Sequence, residues 1–262
     1  MFCISLNFSY LCRVISKNKI KQIRQLELKK FRKAEGLFVA EGPKVVGDLI
    51  RAGFTPREVY ATQQNKEAFP KATEVTDDEL RKLSFLQHPQ GVLGVFLIPN
   101  NSEGSECKIE YGLYLALDGV QDPGNLGTII RLADWFGINT IYCSNDTADA
   151  WAPKVVQATM GSIARVKVVY TDICQLIDNT TLPVYGTLLD GENIYDKQLD
   201  ADALIVMGNE GNGLSEEVRK RVTEKLLIPC FHKGNDGPES LNVAIATAIT
   251  CSEFRRAFSP KG

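Results

Sequence analysis

Apolar runs and segments of helical period alternate along nearly the whole chain, and the alternation changes character part-way. In the first part, Ser16 can cap a helix running to Ala34, in which Ile20, Ile23, Leu26 and Phe31 share a stripe and the lysines lie opposite. LFVAEG reads as a strand, and Pro43 then takes the first position of a helix that Gly53 stops. EVYAT is a strand, Thr76 and Glu79 form a capping box for DELRKLS, and GVLGVFLI closes the unit near Pro99. This pattern predicts a small α/β/α domain over residues 14–99. The polar, Gly- and Ser-containing stretch that follows predicts a linker at 100–111.

From residue 112 to 262 the strands are more nearly continuous in hydrophobicity: LYLAL, TIYCS, RVKVVY, PVYGTLL, ALIVM and KLLIP. Helices are expected between them, over LGTIIRLADWFG, over KVVQATM from Pro153 to its stop at Gly161, over ICQLI and over LSEEVRKRV. Strands of this kind predict a mostly parallel sheet covered by helices on both faces. The last helix opens at Ser240, Leu241 and Asn242 and is so apolar that little of it should face water. Residues 1–13 are apolar without a basic flank or small-residue cleavage site, and read as an extension rather than a signal peptide.

Composition changes this picture in two places. Seven cysteines scattered singly, with no CxxC, suit a reduced, cytoplasmic setting. With only two histidines there is little material for a Cys/His metal site, and no apolar run suggests a membrane span. The net charge is −2, yet residues 13–35 hold nine Lys/Arg against Glu27 and Glu35, a local +7. A basic block on a mildly acidic chain points to a polyanion bound at one end, or to a solvated helix face.

Three loops follow strands of the sheet, where parallel sheets collect their ligands. In DGVQDPGNLG, Asn125 falls at the expected helix N-cap and Arg131 lies nearly two turns further in; alone, they read as a cap and a surface cation. In GNEGNG, Gly208, Gly211 and Gly213 surround Glu210, and the glycines would let backbone approach a ligand or make a tight turn. Neither a GxGxxG fingerprint nor a GK[ST] loop occurs, which argues against a dinucleotide fold and a P-loop. In the third loop, Ser240 and Asn242 can satisfy free N–H groups at a helix start or face a bound group.

Taken together and in this order, DPGNLGTIIRLA, VMGNEGNGLS and IPCF followed by ESLNVAIATAI resemble the three motifs of the SPOUT class of RNA methyltransferases, in particular the TrmH/SpoU type. Residues 14–99 resemble the small RNA-binding domain that often precedes it. The resemblance implies a trefoil knot at the C-terminal end, and a homodimer that builds its site across the interface. It implies transfer of a methyl group from S-adenosylmethionine to a ribose 2′-hydroxyl of RNA, ribosomal rather than transfer RNA given the separate basic domain. A noncatalytic RNA-binding relative and a transfer-RNA enzyme are the rival readings within the class. The implied catalytic set is Arg131, Asn125, Glu210, Ser240 and Asn242; the implied cofactor set is Thr187, Leu188, Gly208, Asn209, Gly211, Ile228, Pro229 and Leu241. RNA contact is expected from Lys17, Lys19, Lys21, Arg24, Lys29, Lys30, Arg32 and Lys33, and no metal is expected.

Overall fold

A computed structural model describes residues 15–99, 109, 111–232 and 239–257. The expected 1–13 extension, most of the 100–111 linker and the 233–238 part of the third loop lie outside the described residues.

The first unit comprises α1 (Lys17–Gln25), α2 (Lys29–Glu35), β1 (Leu37–Glu41), α3 (Pro43–Arg51), β2 (Pro56–Ala61), β3 (Thr73–Glu74), α4 (Asp77–Leu83) and β4 (Val92–Leu97). Its four strands lie in the order β1-β4-β2-β3, with β4 antiparallel to both neighbours. Ser16 caps α1, accepting from Lys19 N at 3.2 Å, and Thr76 with Glu79 makes the capping box of α4. The helix expected to continue to Ala34 is two helices. Leu26 buries its side chain, and the carbonyls of Leu26 and Glu27 both accept from Arg32 Nη1 at 2.7 Å, so the chain turns there instead of propagating the helix.

The second unit comprises β5 (Leu113–Leu117), α5 (Pro123–Trp135), β6 (Thr140–Cys143), α6 (Pro153–Ala158), β7 (Lys167–Tyr170), α7 (Ile173–Asp178), β8 (Val184–Asn193), β9 (Ala203–Met207), α8 (Glu216–Arg219), β10 (Glu224–Leu227) and α9 (Val243–Ala257). The six strands run in the order β10-β8-β9-β5-β6-β7 and every pairing is parallel. Alternate strand residues serve two cores. Leu115, Leu117, Ile141, Ile205 and Met207 pack with Ile129 and Ile130 of α5, Val155 of α6 and Phe254 of α9. Ala116, Leu204 and Val206 pack with Leu176 of α7 and Val218 of α8. Helices therefore cover both faces, as expected of strands apolar along their whole length.

Two expectations are corrected. The helix expected over LSEEVRKRV shrinks to Glu216–Arg219, because only Val218 of that turn reaches the core. α9 is buried along Val243, Ala244, Thr247, Cys251 and Phe254, but Leu241 and Ile245, one turn apart on the other side, are 47% and 52% exposed.

The two units share one core. Phe38 of β1 meets Trp151 with ring centroids 4.6 Å apart and planes tilted by 44°, and Trp151 also meets Phe54 at 6.2 Å. Gly161, at φ +97°, stops the α6 segment against α3, where a Cβ would lie 2.4 Å from an Asp48 carboxylate oxygen.

Candidate active site

Strands β5 and β9 are neighbours, and their continuations diverge: α5 packs on one face of the sheet and α8 on the other. The crevice between such loops is the usual ligand position in an open parallel sheet. The loops here are Asp118–Asp122 and Gly208–Gly213.

Asp122, not Asn125, caps α5. Its Oδ1 accepts from Asn125 N at 2.8 Å. Pro123 has no N–H and a φ preset for the first helical position, so the residue before it becomes the cap. That releases the Asn125 side chain. Its Nδ2 donates to Glu210 Oε1 at 2.9 Å, and its Oδ1 accepts from Asn242 Nδ2 at 2.9 Å. Asn242 in turn caps α9, its Oδ1 accepting from Ala244 N at 2.9 Å and Ile245 N at 3.3 Å. The helix N–H groups can only donate, which fixes the orientation of both amides in series. Each amide nitrogen retains a second N–H for another acceptor. Glu210 also receives Gln121 N and Asp122 N at 3.4 Å, so its carboxylate clamps the first loop.

The glycine loop is braced internally. Asn209 and Gly213 exchange backbone bonds at 2.8 and 3.0 Å. Asn209 Oδ1 accepts from Gly211 N and Asn212 N, and its Nδ2 donates to Gly119 O at 2.7 Å. A Cβ on Gly208 would lie 2.3 Å from Gly213 C, so the glycine there closes the turn.

Asn125, Glu210 and Asn242 are thus brought together, and the other two residues of the expected set are not joined to them. Ser240 is exposed and outside the hydrogen-bonded series. Arg131 is exposed, two-thirds of a turn round α5 from Asn125 by helical spacing, and makes no hydrogen bond or ion pair among the described residues. On the same face, one turn on, Trp135 is 83% exposed.

β8, β9 and β10 adjoin in the sheet; of the expected cofactor residues Thr187 and Leu188 lie within β8, Gly208, Asn209 and Gly211 follow β9, Ile228 and Pro229 follow β10, and Leu241 stands just before α9. The β8 ladder pairs at Val184–Gly186 and again at Glu192–Asn193, skipping residues 187–191. Leu188, Ile228 and Pro229 are half-buried and Leu241 is exposed, while Thr187 reaches Met207 Sδ at 3.7 Å. A separate cavity of about 280 Å³ opens at the ends of β5, β6 and β7, lined by Asp118, Ser144, Asp172 and Glu217 among others. Cys143 and Cys251 are core residues; burial pushes the Cys251 thiol up to about 12, which removes it as a nucleophile at neutral pH.

On the basic helices, Lys17, Lys21, Arg24, Lys29, Lys30 and Lys33 are exposed. Lys19 pairs with Glu58 at 2.7 Å. Arg32 is a correction: it is 3% exposed and its guanidinium is held by Asp149 Oδ2 at 2.5 and 3.0 Å, so it presents nothing to a polyanion. Asp122 and Asp149 were missed as organising residues. The Asp-Pro pair was a legible cap signal, whereas nothing local marks Asp149 as the partner of a residue 117 positions away. Among the described residues, no helix is long and apolar enough to cross a membrane and no group of His, Cys, Asp or Glu could hold a metal ion.

Residues 112–252 match the SpoU rRNA methylase family, and residues 17–94 match the MRM3-like substrate binding domain. The chain is 29% identical to the 23S rRNA (guanosine(2553)-2′-O)-methyltransferase RlmP of Bacillus subtilis, covering 90% of this chain and 96% of the relative. It is 31% identical to the mitochondrial rRNA methyltransferase 3 of Mus musculus, over 86% of this chain and 69% of the relative. Among solved structures, a TrmH-family protein from Porphyromonas gingivalis superposes with a TM-score of 0.81 at 39% identity, covering 92% and 98% of the two chains. The AdoMet-bound rRNA methyltransferase of Sinorhizobium meliloti superposes at 0.82 with 29% identity, over 94% and 97%. With the second and third loops joined through Asn125 of the first, and a family match spanning more than half its length, this chain belongs to the SpoU rRNA methylase family.

Proposed function

We propose that the protein transfers a methyl group from S-adenosylmethionine to a ribose 2′-hydroxyl of ribosomal RNA. The observation that carries the reading is the Glu210–Asn125–Asn242 series, which locks all three motif loops into one polar surface beside the ends of β8, β9 and β10. The S-adenosylmethionine-bound relative and the ribosomal substrates in the relatives' names support the choice of donor and acceptor.

The residues suit that donor. Backbone groups of 187–191 skipped by the ladder, with Gly208, Gly211 and Ile228 at the adjoining loop ends, can meet a purine and a carboxylate, and Leu188, Pro229 and Leu241 can cover an apolar ring. The bound cofactor supplies a sulfonium methyl that is open to attack by an oxygen in line.

The chain's own contribution is to orient that oxygen; the proton it loses as the methyl arrives passes to the target nucleotide's own phosphate, gripped by Arg131, and from there to water. Glu210 spends its acceptors on Asn125 and the first loop, so it organises and does not act as a free base. Asn125 and Asn242 each offer their remaining N–H to the ribose or to the cofactor's polar groups. Arg131 stays protonated and is suited to gripping the target phosphate and hydroxyl. Holding the reacting atoms in line supplies several kcal/mol of the barrier reduction.

Arg131 is exposed and bonded to none of the three joined residues, so the reading includes a homodimer in which the partner's helix brings its arginine to this site. Support comes from exposed apolar groups on the two helices: Trp135 on α5, one turn on from Arg131, and Leu241 and Ile245 at the start of α9 are the kind of groups a second copy would cover. The family's trefoil knot belongs to the same reading, supported by the way α9 leaves edge strand β10 yet returns to α5, Arg255 Nε donating to Phe136 O at 2.7 Å. The division at 14–99 and 112–262 is retained, the first unit for RNA and the second for catalysis. Unpaired Cys143, Cys174, Cys230 and Cys251 support a reducing compartment such as the cytoplasm.

Labelled methyl transfer from S-adenosylmethionine to ribosomal RNA tests the reading. Arg131→Ala is expected to abolish transfer while leaving the cofactor's affinity within about twofold. Loss of cofactor binding in the same variant would instead make Arg131 structural.

A further inference from the structure

One arginine of the basic segment is withdrawn from solvent and spent on the seam between the two units. Arg32 Nε and Nη2 both reach Asp149 Oδ2, while Nη1 holds the carbonyls of Leu26 and Glu27 at the break between α1 and α2. A single guanidinium therefore sets the angle between the two basic helices and bolts them to the catalytic half. Asp149 sits in the loop after β6. That loop is tied to the first motif loop: Ala148 N donates to Val120 O at 2.9 Å, Thr147 Oγ1 to Leu117 O at 3.2 Å, and Gly119 N to Ser144 Oγ at 2.8 Å. The next two residues, Gln121 and Asp122, are those clamped by Glu210. Taking two charges out of water is costly, and an apolar pair would fill the same space at lower cost. What the ion pair adds over the tilted Phe38–Trp151 contact is one defined docking arrangement.

We propose that Arg32 and Asp149 are positioning residues that fix the basic ridge of α1 and α2 at a set distance and angle from the Asn125 cluster, so that the chain measures a folded RNA as a rigid ruler. This rests on the RNA methyltransferase reading above.

The test uses the full chain with Asp149→Asn and Arg32→Lys. The first removes the charge and keeps the volume; the second keeps the charge and loses the fork. Three quantities are measured: cofactor affinity by calorimetry, kcat/KM on a long structured ribosomal fragment and on a short hairpin holding only the target nucleotide, and small-angle X-ray scattering of the free protein. With the ruler set loose, kcat/KM on the long RNA falls about tenfold while the short hairpin is methylated as before. Cofactor affinity is expected to stay within about twofold, and scattering shows a larger maximum dimension. A parallel fall on long and short RNA would overturn the proposal in favour of a general folding role, and so would no change on either. If the wild type methylates no RNA, the enzymatic reading has failed, and scattering alone decides the latch: profiles of wild type and variants that superimpose would overturn it.

Discussion

Asn125 is the residue on which the site turns. It is half-buried, its backbone N–H is taken by the Asp122 cap, and its amide joins Glu210 to Asn242. Removing it breaks two side-chain bonds at once and takes away the bond between the first loop and Asn242, while Gln121 N, Asp122 N and Gly119 O still tie the first loop to the second. Asn125→Ala is expected to cost about 100-fold in kcat/KM for methyl transfer. The melting temperature should fall by only a few degrees, because one half-buried amide contributes on the order of 1 kcal/mol. Steady-state kinetics beside a thermal melt checks this, and a variant with wild-type kcat/KM would show that the series is scaffolding. Arg32 shows how far reading by type alone can go wrong: it looked like one more surface cation in a lysine-rich run, and only tertiary contact with Asp149 removes it from that list. The side-chain amide of Asn209, in the implied cofactor set, braces its own loop through Gly119, Gly211 and Asn212.

At the scale of elements, caps separate stability from function. Asp122 caps α5 and Thr76 caps α4, each accepting from the residue three on. Asp122→Ala and Thr76→Ala should each destabilise the fold by about 1 kcal/mol in chemical denaturation. Only Asp122→Ala should also depress methyl transfer, since it alone frees the backbone that holds Asn125. Equal effects on activity would mean that the cap does not set the site. Most strands and helices were legible because their signals are local: the capping box at Thr76, Pro43 and Pro153 at helix starts, and apolar runs too continuous for anything but a two-sided sheet. What was not legible is set by partners distant in sequence. The break at Leu26–Leu28 depends on Arg32, the short α8 on what the sheet leaves for Val218 to cover, and the exposed face of α9 on the extent of α5.

For the molecule as a whole, a basic ridge rests on one face of the first sheet over Ile23, Leu26 and Leu80, and the other face of that sheet shares its core with the parallel sheet that carries the polar cluster. Six cations of α1 and α2 are exposed, Arg24 among them already donating to Ser84 O, and a polyanion held by such a surface would bind less tightly as salt rises. The cluster supplies oriented amides, and the seam holds the two at one spacing. The sequence disclosed both ends through charge and motifs, but not the seam, which rests on Phe38, Trp151, Arg32 and Asp149 meeting in three dimensions. The most direct measurement of the enzymatic claim is a map of alkaline cleavage along ribosomal RNA from cells with and without this gene. A 2′-O-methyl group removes the attacking oxygen, so one nucleotide should resist cleavage only when the gene is present, and purified protein with S-adenosylmethionine should restore that resistance to unmodified RNA. Identical maps from the two strains, with no resistance restored by the protein, would contradict it.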